Sequence, residues 1–268
     1  MKLAFPLDDT FEIVGATIEE KDGALDVKAV GTADEGRLSR QLSRILAIDH
    51  DGVAFSSVLR SDPALRALDD ASPGFRPIVF FSPYVSAGWH VLSHRISMAQ
   101  AAVVQARLAE ASGDVVEIAG ERIPAFPRPE TFLRMNGFRG IAEEKWIRLR
   151  GIAEAALEGK LALDRLIAMP PAEALKDLMQ LRGVGKFIAE AILIRGCGPT
   201  DMLPSDHTML KRGVAKAYGL TSEPSDADVV RIAEAWRPFR TWVTVMLVRE
   251  GFVGPRGAAR FSRKRSSG

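Results

Sequence analysis

The sequence is poor in the residue types that build cross-links and metal centres. Its 268 residues include one cysteine, Cys197, and four histidines, His50, His90, His94 and His207. A single cysteine excludes an internal disulfide framework, a cysteine-ligated zinc site and a four-cysteine iron–sulfur cluster. The histidines show no HExxH-type pairing, so a dedicated transition-metal site is not expected. No apolar run approaches the roughly 20 residues that a membrane span needs, and the opening MKLAFPLDDT turns acidic without an apolar signal region. These absences point to a cytoplasmic protein with no membrane partner and no cofactor, whose chemistry is carried by ordinary side chains.

Hydrophobic residues make up 47% of the chain and charged residues 26%, the balance of a globular protein large enough for two or three subdomains. A formal net charge of +2 hides an asymmetry. Residues 1–82 carry 9 Lys/Arg against 14 Asp/Glu, a balance of −5, and the remainder carries 27 against 20, a balance of +7. The basic surplus falls with the C-terminal two thirds and with the tail residues Arg256, Arg260, Arg263, Lys264 and Arg265, as expected of a surface that meets phosphates. A solvated basic face accounts for the same numbers.

The periodicity divides the chain into three parts. Residues 11–18 and 24–30 are short and strand-like, the second alternating Leu25, Val27 and Ala29 with Asp26 and Lys28. Asp34 then opens a helical stripe of Leu38, Leu42, Ile45 and Leu46. With the apolar run 78–81, this predicts an N-terminal α+β domain over 1–82, a small antiparallel sheet with helices on one side. Residues 83–251 read as a helical body. The stretch 85–112 is broken near Ser93-His94-Arg95 and restarted at Ser97, and further helices lie near 130–135, 141–157, 172–179, 187–195, 207–218, 227–236 and 238–249. Residues 252–268 form a basic tail whose composition leans to disorder. The fold class is therefore mostly α with an N-terminal α+β module.

Two features within 178–210 carry chemistry. In Leu181-Arg182-Gly183-Val184-Gly185, glycines flank Val184 between two helical patterns, so the chain can turn tightly and the next helix starts with unpaired amides facing outward. Such a helix start accepts an anion, and Lys186 adds a positive charge. A plain helix–turn–helix connection explains the glycines equally. The second feature, Asp206 in Leu203-Pro204-Ser205-Asp206, stands just before the helical pattern Met209, Leu210, Val214. Helix capping explains it, but Ser205 can supply a cap, which leaves the carboxylate available for another role.

The hairpin, the helix after it and an aspartate about twenty residues on resemble the helix-hairpin-helix DNA glycosylase superfamily. Within it, Leu203 to Asp206 with Leu210, Lys211 and Arg212, the segment 233–240 reading Ala-Glu-Ala-Trp-Arg-Pro-Phe-Arg, and 155–159 resemble the 3-methyladenine DNA glycosylase II type of bacteria. The likeness is weaker over 89–113. It implies a small sheet domain packed on a two-lobed helical body, with the helix-hairpin-helix at about 172–196. It also implies base excision repair of double-stranded damaged DNA, and a monomer is expected because base flipping needs no symmetry and no heptad pattern appears. Asp206 would be the catalytic carboxylate. Gly183, Val184, Gly185, Lys186 and Ser205 would meet the DNA backbone, and the carbonyls of Met179, Leu181 and Val184 would hold a monovalent cation when DNA is bound. The loop with His94 and Arg95 stands where the family inserts a wedge into the duplex, although family members have glutamine and an apolar residue there. Strand-cutting members carry a lysine where this chain has Phe187, so the resemblance implies release of the base without strand cleavage.

Phe187, Trp89, Tyr84 and Trp242 are the aromatic candidates for a base pocket, each with core packing as its alternative. Release of an alkylated purine of the 3-methyladenine class is the expected reaction. The same fold acting on an oxidised or deaminated base, or a non-catalytic DNA-binding protein with Asp206 as a mere cap, are the other readings.

Overall fold

Side chains of the N-terminal strands alternate between two partners, and this fixes the first core. The computed structural model describes residues 1–31 and 34–252. Strand β1 (Lys2–Pro6) pairs antiparallel with β2 (Ile13–Lys21), and β2 with β3 (Ala24–Val30). Phe5, Val14, Ala16 and Ile18 point to one face, where Leu38, Leu42 and Ile45 of helix α1 (Glu35–Ile45) cover them. Ala4 and Ile13 belong to the opposite face, against Val116 and Ile118 of a second hairpin, β4 (Val115–Ile118) with β5 (Glu121–Pro124). The period of two sorts one strand between the two layers. Asp34 caps α1 as expected, its side chain accepting from the Arg37 N–H at 2.9 Å.

The expected alternation of β3 does not bury it. Leu25 and Val27 are 41% and 39% exposed, because the β2–β3 ribbon runs on past Ile18, beyond the cover of α1, through Glu19, Glu20 and Lys21. The run 78–81 is not a strand either. Its polar groups are taken up singly: the Val79 N–H donates to the Ile45 carbonyl, the Phe80 N–H to the Arg195 carbonyl, and the Phe81 carbonyl accepts from Gln41 and Arg44.

These strands belong to a unit made of residues 1–46 and 78–198. It continues through α4 (Pro83–Ser93), α5 (Met98–Ser112), α6 (Pro129–Arg134), α7 (Glu143–Leu157), α8 (Leu163–Ala168), α9 (Pro171–Leu178) and α10 (Lys186–Ala191). The break anticipated near 93–97 is present, with Ser97 and Gln100 forming a reciprocal cap at the start of α5. Tyr84, Phe126, Phe132 and Trp146 make a chain of ring contacts through this unit. Helix α10 runs on as a π-helical segment, Ile192–Cys197. The Ser86 hydroxyl donates to the Ala191 carbonyl, the Phe80 N–H to the Arg195 carbonyl and Arg44 to the Gly196 carbonyl, so carbonyls along this stretch accept from outside the helix.

The second unit comprises 47–77 and the residues from 199 onward. It contains α2 (Gly52–Ser61), α3 (Arg66–Ala71), α11 (Thr208–Ala217), α12 (Asp226–Ala233), a 3-10 turn (Glu234–Trp236) and α13 (Arg240–Phe252). Its core is Phe55, Leu59, Leu65, Leu210, Val214, Trp236, Phe239, Trp242, Met246 and Leu247. Residues 47–77, which the sequence groups with the N-terminal module, pack here instead, because Phe55, Leu59 and Leu65 find their apolar partners beside α11 and α13. The expected basic tail lies, beyond Phe252, outside the described residues. Among the described residues no helix is long and apolar enough to cross a membrane.

The π-helical segment sits so close to α4 that a Cβ on Gly196 would stand 2.8 Å from the Cα of Pro83 and 3.1 Å from the Cβ of Ser86. Gly196→Ala should therefore destabilise the protein by about 1–3 kcal/mol, although alanine is ordinarily the better helix former. Urea denaturation measures this, and an unchanged or raised midpoint would contradict the close packing.

Candidate active site

The hairpin is built by a turn that only its third residue makes possible. After α9 the Leu181 N–H returns to the Leu178 carbonyl at 3.1 Å, and the Val184 N–H to the Leu181 carbonyl at 3.0 Å. Gly183 takes φ +82°, and a Cβ there would also meet the Arg148 side chain at 2.8 Å. Val184 is buried and anchors the loop. Gly185 caps α10 without a side chain over the helix start, and Gly185, Lys186 and Phe187 are exposed. The first amides of α10 therefore face outward beside a lysine, as an anion site requires.

Phe187 is not a core residue. It is 70% exposed and its ring meets the edge of His90 at 6.1 Å between centroids. His90 packs on its other side against Phe80 and bonds through Nδ1 to the Ser86 carbonyl at 2.7 Å. Since a carbonyl only accepts, Nδ1 carries the proton. Burial first, then the positive charge of Arg195, pull the imidazole pKa down against the pull of the Ser86 bond. Trp89, on the same helix, is half-buried. The other two aromatic candidates are core residues. Tyr84 is 2% exposed, with its hydroxyl donating to the Pro127 carbonyl at 2.6 Å, and Trp242 is 1% exposed among Phe55, Phe239 and His50. Neither has a face open to a base.

Ser93 to Ile96 form a tight turn after α4, closed by the Ile96 N–H on the Ser93 carbonyl at 3.2 Å. His94 has φ −56° and ψ 126° and Arg95 has φ +58°, the shape of a type II turn whose third position normally takes glycine. Both side chains are exposed. Lys145 holds the turn from α7, its Nζ donating to the Leu92 carbonyl at 2.9 Å and the His94 carbonyl at 2.8 Å. An arginine in a left-handed conformation stores strain. Lys145 carries no motif, and the sequence offers no sign of its role.

In the second unit, Asp206 ends a loop that is tied down at several points. Thr241 is buried; its N–H donates to the Thr200 carbonyl at 2.9 Å, and its hydroxyl accepts from the Met202 N–H at 2.8 Å and donates to the Met202 carbonyl at 2.9 Å. Arg240 reaches the Asp201 carboxylate at 2.6 Å and its carbonyl at 3.0 Å, and Arg237 reaches the same carboxylate at 2.7 Å. The Trp-Arg-Pro-Phe-Arg segment thus holds the approach to Asp206. Asp206 is exposed, and its Oδ1 accepts from the Thr208 N–H at 2.9 Å, so it does serve the helix start. Ser205 beside it is also exposed. The Thr208 hydroxyl and then its N–H hold the Asp206 carboxyl below the ordinary aspartate range, with smaller help from His207 and Lys211. The next side chain, His207, is buried and bonds to Asp226 at 3.2 Å, and Lys211 pairs with Asp226 at 2.9 Å. Asp226 lies about twenty residues on, too far for any motif to signal it.

An exposed carboxylate with depressed pKa is ionised at neutral pH and favours the folded state above its unfolded pKa, a contribution lost as pH falls through the lower folded value. Thr208→Val, which keeps the backbone donor and removes the hydroxyl, should raise the Asp206 titration midpoint in a carboxyl-detected NMR titration. No change would mean that the hydroxyl does not hold the carboxylate.

No family model matches the sequence. Individual proteins do. The chain is 25% identical over 207 residues to a DNA-3-methyladenine glycosylase of Bacillus subtilis, covering 75% of this chain and 68% of that protein. It is 28% identical over 183 residues to DNA-3-methyladenine glycosylase 2 of Escherichia coli, covering 67% and 61%. Its fold is similar to that of the 3-methyladenine DNA glycosylase from Archaeoglobus fulgidus, with a TM-score of 0.76, 23% identity and coverage of 94% and 87%. With the hairpin, the capping glycine and the tethered Asp206 loop in place, the chain is similar in sequence to DNA-3-methyladenine glycosylases and shares the fold of one of them.

Proposed function

We propose that this chain is a monofunctional DNA glycosylase of base excision repair that flips an alkylated purine of the 3-methyladenine class out of the duplex and releases it by hydrolysis, leaving an abasic site. The observation that carries this reading is Asp206, an exposed, ionised carboxylate at the end of a tethered loop. Breaking an N-glycosidic bond builds positive charge on the sugar, and a fixed anion stabilises that charge without having to reorganise. Asp206 would supply the anion or orient the attacking water at C1′.

The other residues take parts that suit their settings. The outward amides at Gly183, Val184, Gly185 and Lys186 suit a DNA phosphate, which fixes register without reading sequence, and Ser205 is exposed for a similar contact. The carbonyls of Met179, Leu181 and Val184 are a neutral oxygen set, fit for a weakly held monovalent cation rather than a divalent one; the Leu181 carbonyl already accepts from Val184 and keeps one lone pair. Arg95, or His94 beside it, would fill the gap left by the extruded base. Phe187, with Trp89 near, would stack on that base. Phe187 has no amine, so no Schiff base can form there and the sugar–phosphate strand stays whole. The partner is double-stranded damaged DNA, bound by a monomer, since flipping a single base needs no symmetry.

Two other structure neighbours are described as 8-oxoguanine glycosylase/lyase proteins, with TM-scores of 0.66 and 0.65, and share the fold. Phe187 weighs against the lyase step for this chain.

With a duplex carrying alkylated purines, Asp206→Asn should lower single-turnover base release by about 100-fold or more while leaving affinity for an abasic duplex unchanged. Equal release by the two proteins would sink the catalytic role and favour a cap. Lys186→Ala should weaken binding to all duplexes alike and reduce the salt slope by about 1.

A further inference from the structure

Arg195 is an unmatched cation of the first unit. It is half-buried, and its guanidinium has no hydrogen-bond or ion-pair partner among the described residues. The buried or partly buried Arg44 and Arg128 are matched, by Asp8 and Asp114 respectively. None of its nitrogens is sealed from solvent. An unpaired charge in such a place costs stability and is a marker of function.

Its neighbours say what it faces. Arg195 and Phe187 ride on one continuous helix, Phe187 in its α-helical start and Arg195 in its π-helical end. The Phe80 N–H bonded to the Arg195 carbonyl and the Arg44 guanidinium bonded to the Gly196 carbonyl fix that winding, and such π segments recur at functional sites. His90 connects the two residues: its ring meets Phe187, and it feels the charge of Arg195. Because Nδ1 donates to Ser86, the Nε2 of neutral His90 is an acceptor, and it too has no partner and is not sealed. A reachable cation and an exposed aromatic ring on one helix are thus linked through a reachable acceptor on α4.

We propose that Arg195 is a specificity-determining residue of the base site, the fixed cation on the base side of the bond that breaks, with His90 Nε2 as the acceptor for an N–H of the purine edge and Phe187 as the stacking wall. The inference rests on the glycosylase reading above. When the C1′–N bond breaks, both electrons go to the base. The water oxygen bonds to C1′, and its proton ends on a ring nitrogen of a neutral purine, or in solvent when the purine carried an alkyl cation. A neutral purine such as hypoxanthine therefore leaves through a negatively charged state, which Arg195 stabilises. An N-alkylated purine such as 7-methylguanine arrives positive and leaves neutral, so Arg195 opposes its entry. Arg195 thereby extends the range of the site from N-alkylated purines to neutral ones.

The test is single-turnover base release by the full chain from two duplexes, one with hypoxanthine and one with 7-methylguanine, for wild type, Arg195→Gln and Arg195→Lys. Affinity for an abasic duplex, which has no base to read, serves as the control. Arg195→Gln should slow hypoxanthine release by about tenfold or more, leave 7-methylguanine release unchanged or faster, and leave abasic binding unaltered, while Arg195→Lys recovers part of the hypoxanthine rate. Equal losses on both bases, no loss on hypoxanthine, or a wild type that releases 7-methylguanine but no hypoxanthine would overturn the inference. A wild type that releases neither of these, nor 3-methyladenine from a third duplex, would overturn the glycosylase reading itself.

Discussion

The first unit is organised around one buried guanidinium. Arg44, near the end of α1, pairs with both oxygens of Asp8 at 3.1 and 2.8 Å and donates to the carbonyls of Phe81 at 2.7 Å and Gly196 at 2.8 Å. It therefore ties the segment after β1, the extended residues before α4 and the end of the π-helical segment to a single side chain. Burial pushes the Asp8 carboxyl up, against the pull of Arg44, so the pair stabilises only while both charges are matched. Removing either partner would leave a buried charge or orphaned carbonyls, the costly way to break such an arrangement. The winding of residues 192–197 carries Arg195, and the start of the same helix carries Phe187 and follows the hairpin.

The second unit solves a different problem, holding a carboxylate still in a solvent-exposed loop. No buried charge is involved. Thr241 and Arg240 grip residues 200–202 from the start of α13, and Thr208 grips the carboxylate itself. The tether leaves Asp206 ionised and accessible, which is what a group that must face a developing positive charge needs. Capping a helix and serving chemistry are compatible here, because one oxygen accepts from Thr208 and a carboxylate offers two.

The features that could be read from sequence are those whose cause is local. Asp34 before α1, Ser97 after a polar break, the glycines around Val184 and an aspartate ahead of Met209 each act within a few residues, through caps and turns. Features whose cause is distant could not be read. Residues 78–81 look like a strand because they are apolar, yet their polar groups go to Ile45, Arg195, Gln41 and Arg44. Residues 47–77 follow the sheet in sequence and pack in the other unit, because the partners of Phe55 and Leu59 lie more than a hundred residues on. Strands β1, β4 and β5 are short and lack strong alternation, and the π winding has no sequence signature. Among the site residues, Tyr84 and Trp242 show why an aromatic alone is ambiguous: nothing local separates a ring that closes a core from one that waits for a ligand. Lys145, His90 and Arg195 act through contacts across the fold and have no motif to announce them.

Hydrolysis of a damaged base without cutting of the strand is tested most directly by analysis of the products. Wild-type protein is incubated with a duplex containing 3-methyladenine, with and without borohydride, and the released base and the strand are followed together. The expected result is free 3-methyladenine and a strand that breaks only after alkali, with no protein trapped on DNA. Intact 3-methyladenine in the duplex, or a strand cut without alkali and a borohydride-trapped adduct, would contradict it.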